Sequence, residues 1–366
     1  MTTQVPEWVI YPEEDWLPIA PAAAGLDEDQ FGSFIAGLNV EGAAFGGEDH
    51  SNGRFGAVLT RGGYLLHQWG DRHYRHQTAS TGKAFVRALV GFAAADGLLD
   101  PDEPVGRSWT GAGQLSHAHK HLDQGFHRRL TWRHLLGPRD EAVQYGGFPM
   151  ELGIRWRQKC TGLEGADRVP GVPEWAQWSG DPFYDLYAHA EPGTVGLYSS
   201  AGFWRLGQAL THVWGRDLKD VLQERLFDLI GIPPQRWDWL SGGYIKEQKY
   251  LYPTIPDAYT YLDPPYEMGA CPVRSGPGWV VISAGDLARF GHLNATDGQW
   301  KGIQIIDPEW LRGHGGGNKC GASGESGQYT GLGVVTATGI DYPHSLGTES
   351  FVPGEIFTGP VQKRGG

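Results

Sequence analysis

The chain has 366 residues, 40% hydrophobic and 20% charged, which supplies a sizeable core for one large domain or two ordinary ones and argues against global disorder. A formal net charge of −12 excludes a broad electrostatic surface for nucleic acid or anionic membrane. Three widely spaced cysteines, Cys160, Cys271 and Cys320, form neither a disulfide framework nor a close-spaced zinc pattern.

The N-terminal "MTTQVPEWVIYPEEDWLPIA" is acidic and has no basic region leading into an apolar one, so no signal peptide is expected. No apolar run reaches membrane-spanning length, and the expectation is a cytoplasmic protein. The 56 Gly and 24 Pro predict many turns and long loops.

In chain order, "DEDQFGSFIAGLN" (27–39) predicts a short amphipathic helix with acidic residues in its first turn. "RFGAVLTRGGYLLHQWG" (54–70) places two apolar runs around Arg-Gly-Gly, a hairpin signal. "STGKAFVRALVGFAAADG" (80–97) predicts a helix opened by Ser80. Its Phe85, Val86, Leu89, Val90 and Phe92 are too densely apolar for one stripe, so it should be buried nearly all round. Between 100 and 200 the pattern loosens, with a short helical piece in "LTWRHLLG" (130–137). Amphipathic helices are expected over 199–215, 216–231 and 283–298, the last capped by Ser283. "KGIQII" (301–306) and "YTGLGVVTAT" (329–338) read as strands.

The chemistry is sought at Ser80 and Lys83. Residues i and i+3 of a helix share a face, so a Lys83 amine would come within reach of the Ser80 hydroxyl. A serine hydroxyl attacks poorly unless something takes its proton, and a desolvated lysine can be that base. The N–H groups of a helix N-terminus favour the negative charge that develops on an attacked carbonyl oxygen. Ser-x-x-Lys alone is a common tetrapeptide, but here it stands at a helix start before a buried run.

A second element follows at "AEPGTVGLYSSAGFWRLG" (190–207), with Tyr198 and Ser200 directly before a helix. Together these motifs resemble the serine β-lactamase and penicillin-binding-protein superfamily, in its class C-like branch with family VIII carboxylesterases and related amide hydrolases. "ADGLLDPDEPV" (95–105), "LTWRHLLG" (130–137) and "GWVVISAGDLARFGHL" (278–293) resemble further family segments in the right order.

The resemblance implies that Ser80 is the acylated nucleophile, Lys83 its base and Tyr198 a proton shuttle toward the leaving group. It implies a substrate-binding role for Ser200, which stands where many relatives carry Asn and lacks the amide's paired donor and acceptor. The implied fold is α/β (α+β): an antiparallel sheet from both ends of the chain (1–78 and 276–366), with a mostly helical domain (79–275) inserted and the site in the cleft.

The family's Lys-Thr-Gly strand, whose N–H completes the oxyanion hole, is missing. "KRGG" (363–366), with Gly365 as the donor, and "GHGGG" (313–317) are the candidates, and chain order favours the first. Relatives continue with further strands, so two expectations stand: a sheet domain incomplete at its C-terminal end, or a sheet closed in an unusual way.

The segment 172–189 carries Trp175 and Trp178 among other aromatics, either a substrate-facing wall or internal packing of the helical domain. "SHAHKHLDQGFH" (116–127) alternates His117, His119 and His121, but Asp123 is misplaced for the metallo-hydrolase pattern, and a solvated loop is expected rather than a metal site. No cofactor is implied. The expected function is a carboxylesterase-like serine hydrolase acting on a small ester or amide. A β-lactamase or D-amino-acid peptidase is the alternative within the same chemistry, and an inactive ligand-binding relative the alternative outside it.

Overall fold

A computed structural model describes residues 5–38, 55–111, 128–136, 192, 200–241, 267–276 and 278–314. Among them the strands are β1 (Leu17–Pro18), β2 (Gly56–Arg61), β3 (Tyr64–Gly70), β4 (Arg75–Gln77), β5 (Asp238–Trp239), β6 (Glu267–Met268), β7 (Cys271–Pro272), β8 (Val280–Ser283), β9 (Gln299–Trp300) and β10 (Ile303–Gln304). The helices are α1 (Glu28–Gly37), α2 (Lys83–Ala95), α3 (Val105–Ser108), α4 (Trp132–Leu136), α5 (Ser200–Trp214), α6 (Leu218–Leu222), α7 (Ala284–Ala295) and α8 (Pro308–His314). The protein is a mixed α/β chain with small, mostly antiparallel sheets. It divides into two compact units: Met1–Ala84, Gln223–Asp238 and Trp279–Gly366 form the first, Phe85–Leu222 and Trp239–Gly278 the second.

In the first unit, Asp27 caps α1 by accepting from the Gln30 N–H at 2.9 Å. Strands β2 and β3 pair antiparallel from Gly56↔Gly70 to Arg61↔Tyr64, and β1 adds to β3 in parallel. Gly62 and Gly63 take φ of 56° and 89°, the left-handed pair that a tight two-residue hairpin requires. A Cβ on Gly63 would stand 1.8 Å from the Ile10 carbonyl oxygen, so the chain before β1 crosses directly over this turn. Trp16, Leu65 and Ala288 are buried together with Val58 packed against them, which joins the hairpin to α7. Helix α7 starts where it should, with Ser283 accepting from the Asp286 N–H at 3.1 Å.

Segments far apart in sequence also meet as a ladder. Strand β4 runs antiparallel to β8 with Arg75 opposite Ser283, His76 opposite Ile282 and Gln77 opposite Val281. The run 216–231, expected as one helix, is broken. After α6 the backbone widens into a π-type turn at Gln223–Phe227, where the Asp228 N–H reaches the Gln223 carbonyl at 2.8 Å. The Gln223 amide donates to the Ile232 carbonyl at 2.8 Å and its oxygen accepts from the Trp237 indole at 2.5 Å. "KGIQII" contributes only β10, which turns back on β9 through Lys301 and Gly302, both at positive φ.

In the second unit, Phe85, Val86, Leu89, Val90, Phe92 and Ala93 are all buried, the all-round burial that the α2 sequence predicts. The segments "DPDEPV" and "LTWRHLL" meet through the Val105 N–H to Leu130 carbonyl bond of 2.8 Å, and the Arg133 guanidinium clasps the Asp102 carboxylate at 2.5 and 2.8 Å. Arg87 donates to the Leu136 carbonyl at 2.7 Å and lies 5.4 Å from the Phe203 ring centroid.

Candidate active site

Strand β4 delivers the chain to Thr78, whose N–H donates to the Val280 carbonyl at 2.8 Å and continues the β4–β8 register by one more residue. The backbone then tightens into a 3₁₀ turn over Ala79–Gly82. The Thr81 N–H closes that turn onto the Thr78 carbonyl at 3.0 Å. Ser80 is its second residue, and α2 begins at once with Lys83. The Ser80 backbone therefore stands at a strand-to-helix junction, one turn ahead of the first residue of the helix.

Lys83 is 2% exposed and Thr81 is 5% exposed. Placing an amine at such depth disfavours its charged form unless neighbours compensate, which is the circumstance under which lysine serves as a base. Ser80, expected at the N-terminus of this helix, stands in the 3₁₀ turn that runs into it, and the α-helix proper starts at the lysine.

Ser200 opens α5, a helix whose Phe203, Trp204, Leu206, Ala209 and Leu210 are buried. Tyr198, Trp175, Trp178 and Gly365 lie outside the described residues, as do the His117–His121 run and the "KRGG" segment. Of "GHGGG", Gly313 and His314 end α8, and the three glycines after them lie outside the described residues. Among the described residues no group of three or more His, Cys, Asp or Glu is placed to hold a metal ion, and no helix is long and apolar enough to cross a membrane.

Two features at the end of the β4–β8 ladder, where the Ser80 turn departs, were not visible in the sequence. The Thr78 hydroxyl also donates to the Val280 carbonyl, at 2.9 Å, across 202 residues of chain. Trp279, the residue before Val280, holds a left-handed φ of 61°, a conformation disfavoured for a side chain of its size. The only local signal for the second is the Gly-Pro-Gly that precedes Trp279.

No protein-family model matches this sequence, and no curated protein matches it. Among solved structures it is similar to the octameric penicillin-binding protein homologue of Pyrococcus abyssi, at 15% identity and a TM-score of 0.46 over 78% of this chain and 59% of that one. The D-amino acid amidase of Ochrobactrum anthropi aligns at 21% identity and a TM-score of 0.40, over 74% of this chain and 73% of that one. A Bacillus anthracis protein described as a candidate 6-aminohexanoate-dimer hydrolase aligns at 15% identity and a TM-score of 0.41, over 70% of this chain and 57% of that one. The chain thus spans less than two thirds of the length of the Pyrococcus and Bacillus proteins. With every one of these TM-scores below 0.5, the functional reading rests on the residues of this chain.

Proposed function

We propose that this protein is a serine hydrolase of the β-lactamase and penicillin-binding-protein type that cleaves a small ester or amide, with carboxylesterase-like preference. The observation that carries the proposal is Ser80 in a 3₁₀ turn running into a helix whose first residue is the buried Lys83. The order of the motifs around Tyr198 and through "GWVVISAGDLARFGHL" supports it.

In the proposed reaction the Ser80 oxygen attacks the substrate carbonyl carbon while its proton passes to the Lys83 amine. Backbone N–H groups at the head of the turn and helix stabilise the oxyanion. The tetrahedral adduct collapses by breaking the bond to the leaving alcohol or amine, which takes its proton by way of Tyr198. Water then attacks the acyl-Ser80 ester, gives its proton to the same relay and releases the acid.

A panel of p-nitrophenyl acyl esters, D-amino-acid anilides and a chromogenic cephalosporin tests this. Esters should turn over fastest, with intact-mass spectra showing one acyl adduct that disappears in Ser80→Ala. Ester hydrolysis that survives Ser80→Ala and is lost on chelation would replace the serine by a metal-dependent site.

A further inference from the structure

The carbonyl of Val280 accepts twice from one residue. Thr78 gives it both its backbone N–H at 2.8 Å and its hydroxyl at 2.9 Å, while the Thr78 carbonyl accepts the Thr81 N–H that closes the turn containing Ser80. The N–H bond is what the β4–β8 ladder would supply with any residue at this position. The hydroxyl bond is specific to a Ser or Thr side chain. It fixes Thr78 at the point where the strand ends and the Ser80 turn departs.

The receiving point is itself held firmly. Val280 is fully buried, and it follows Trp279 in left-handed backbone, a strain that persists only where the surroundings enforce it. A strained residue next to the carbonyl that holds Thr78 bears on positioning, because misplacement of a reacting group by about 1 Å can cost on the order of 100-fold in rate.

We infer that Thr78 is a positioning residue for Ser80, its hydroxyl locking the Ser80 turn to the start of β8. The inference rests on Ser80 being the nucleophile. Thr78 touches neither substrate nor the reacting atoms. It acts by fixing the angle at which the turn leaves the sheet, and that angle sets where the residue two positions on stands.

The comparison of Thr78→Val with Thr78→Ser isolates the hydroxyl. Valine keeps the branched shape and the ladder N–H, whereas serine keeps the hydroxyl and loses a methyl. The readout is the second-order rate of Ser80 phosphonylation by a fluorophosphonate, beside kcat and KM on an ester and the thermal midpoint. Thr78→Val should slow Ser80 labelling and kcat by about tenfold or more with little change in KM, and Thr78→Ser should restore both. Should Thr78→Val fail to fold, Thr78→Ala, which also removes the hydroxyl and keeps the ladder N–H, takes its place in the comparison.

Labelling of Thr78→Val at the unsubstituted rate, or equal slowing in the serine variant, would overturn the inference and leave the Ser80 reading standing. Absence of label on Ser80 in the unsubstituted folded protein would overturn the nucleophile reading and this inference with it.

Discussion

Arg236 and Asp286 meet as a two-point ion pair in the first unit. The Arg236 Nε donates to Asp286 Oδ2 at 3.0 Å and its Nη2 donates to Oδ1. The Ser283 hydroxyl adds a bond to Oδ2 at 2.9 Å, and Arg289 Nε stands 3.8 Å from Oδ1. The Asp286 side chain is 1% exposed, so its charge has been withdrawn from water and depends on these partners.

Asp286→Ala should therefore destabilise by about 3–5 kcal/mol, because it strips the compensating charge from the buried Arg289 as well as from Arg236. Denaturant unfolding measures this, and a double-mutant cycle with Arg236→Ala apportions the pair. A loss below about 1 kcal/mol would show that the network contributes little.

His292 makes stability depend on pH. Its Nε2 lies 2.7 Å from the Ile10 carbonyl, which only accepts, so Nε2 carries the hydrogen. The rings of Tyr11, Trp16 and Trp300 surround it, and burial pulls its pKa from 6.5 down to about 4. In the window between those values the unfolded chain binds a proton that the folded chain refuses. Stability is thus fully present above 6.5 and is lost as pH falls toward 4, by up to about 3 kcal/mol. Burial depresses His67 and His134 with the same sign. His292→Gln, which can still donate to Ile10, should flatten the slope by its own share. Equal slopes in variant and parent would contradict this.

Gly207→Ala should behave opposite to its helix propensity. In an ordinary helix interior the change gains roughly 0.5–1 kcal/mol. On α5 the added Cβ would stand 2.8 Å from the Arg274 carbonyl oxygen and 3.1 Å from the Gly276 nitrogen, both of them backbone atoms that cannot swing away. The expected result is a loss of about 1–3 kcal/mol, read from the denaturation midpoint at unchanged m value. A gain would mean that the helix and the 274–276 segment separate freely.

Helix α1, the β2–β3 hairpin and α7 were legible in the sequence because their signals are local. Asp27 and Ser283 are caps three residues from the N–H groups they serve, and Gly62-Gly63 announces its turn on its own. The break after Leu222 was not legible, since periodicity continues through Gln223 while the partners that widen the turn, Ile232 and Trp237, act through tertiary contact. The same holds at the candidate site. Ser80 and Lys83 announce themselves as a motif, but Thr78 is an ordinary strand residue until folding brings Val280 to it. The bonds from Arg289 to the Pro12, Glu13, Glu14 and Ile230 carbonyls are equally silent in sequence, because backbone acceptors leave no residue signature.

The central claim is that Ser80 is an activated nucleophile with Lys83 as its base. The most direct measurement is peptide mapping after reaction with a fluorophosphonate, on the unsubstituted protein and on Lys83→Met, whose unbranched side chain suits the buried site. The account predicts one phosphonate on Ser80, formed at least about 100-fold more slowly in Lys83→Met. A folded protein that carries no label on Ser80, or one that labels equally fast without the amine of Lys83, would contradict it.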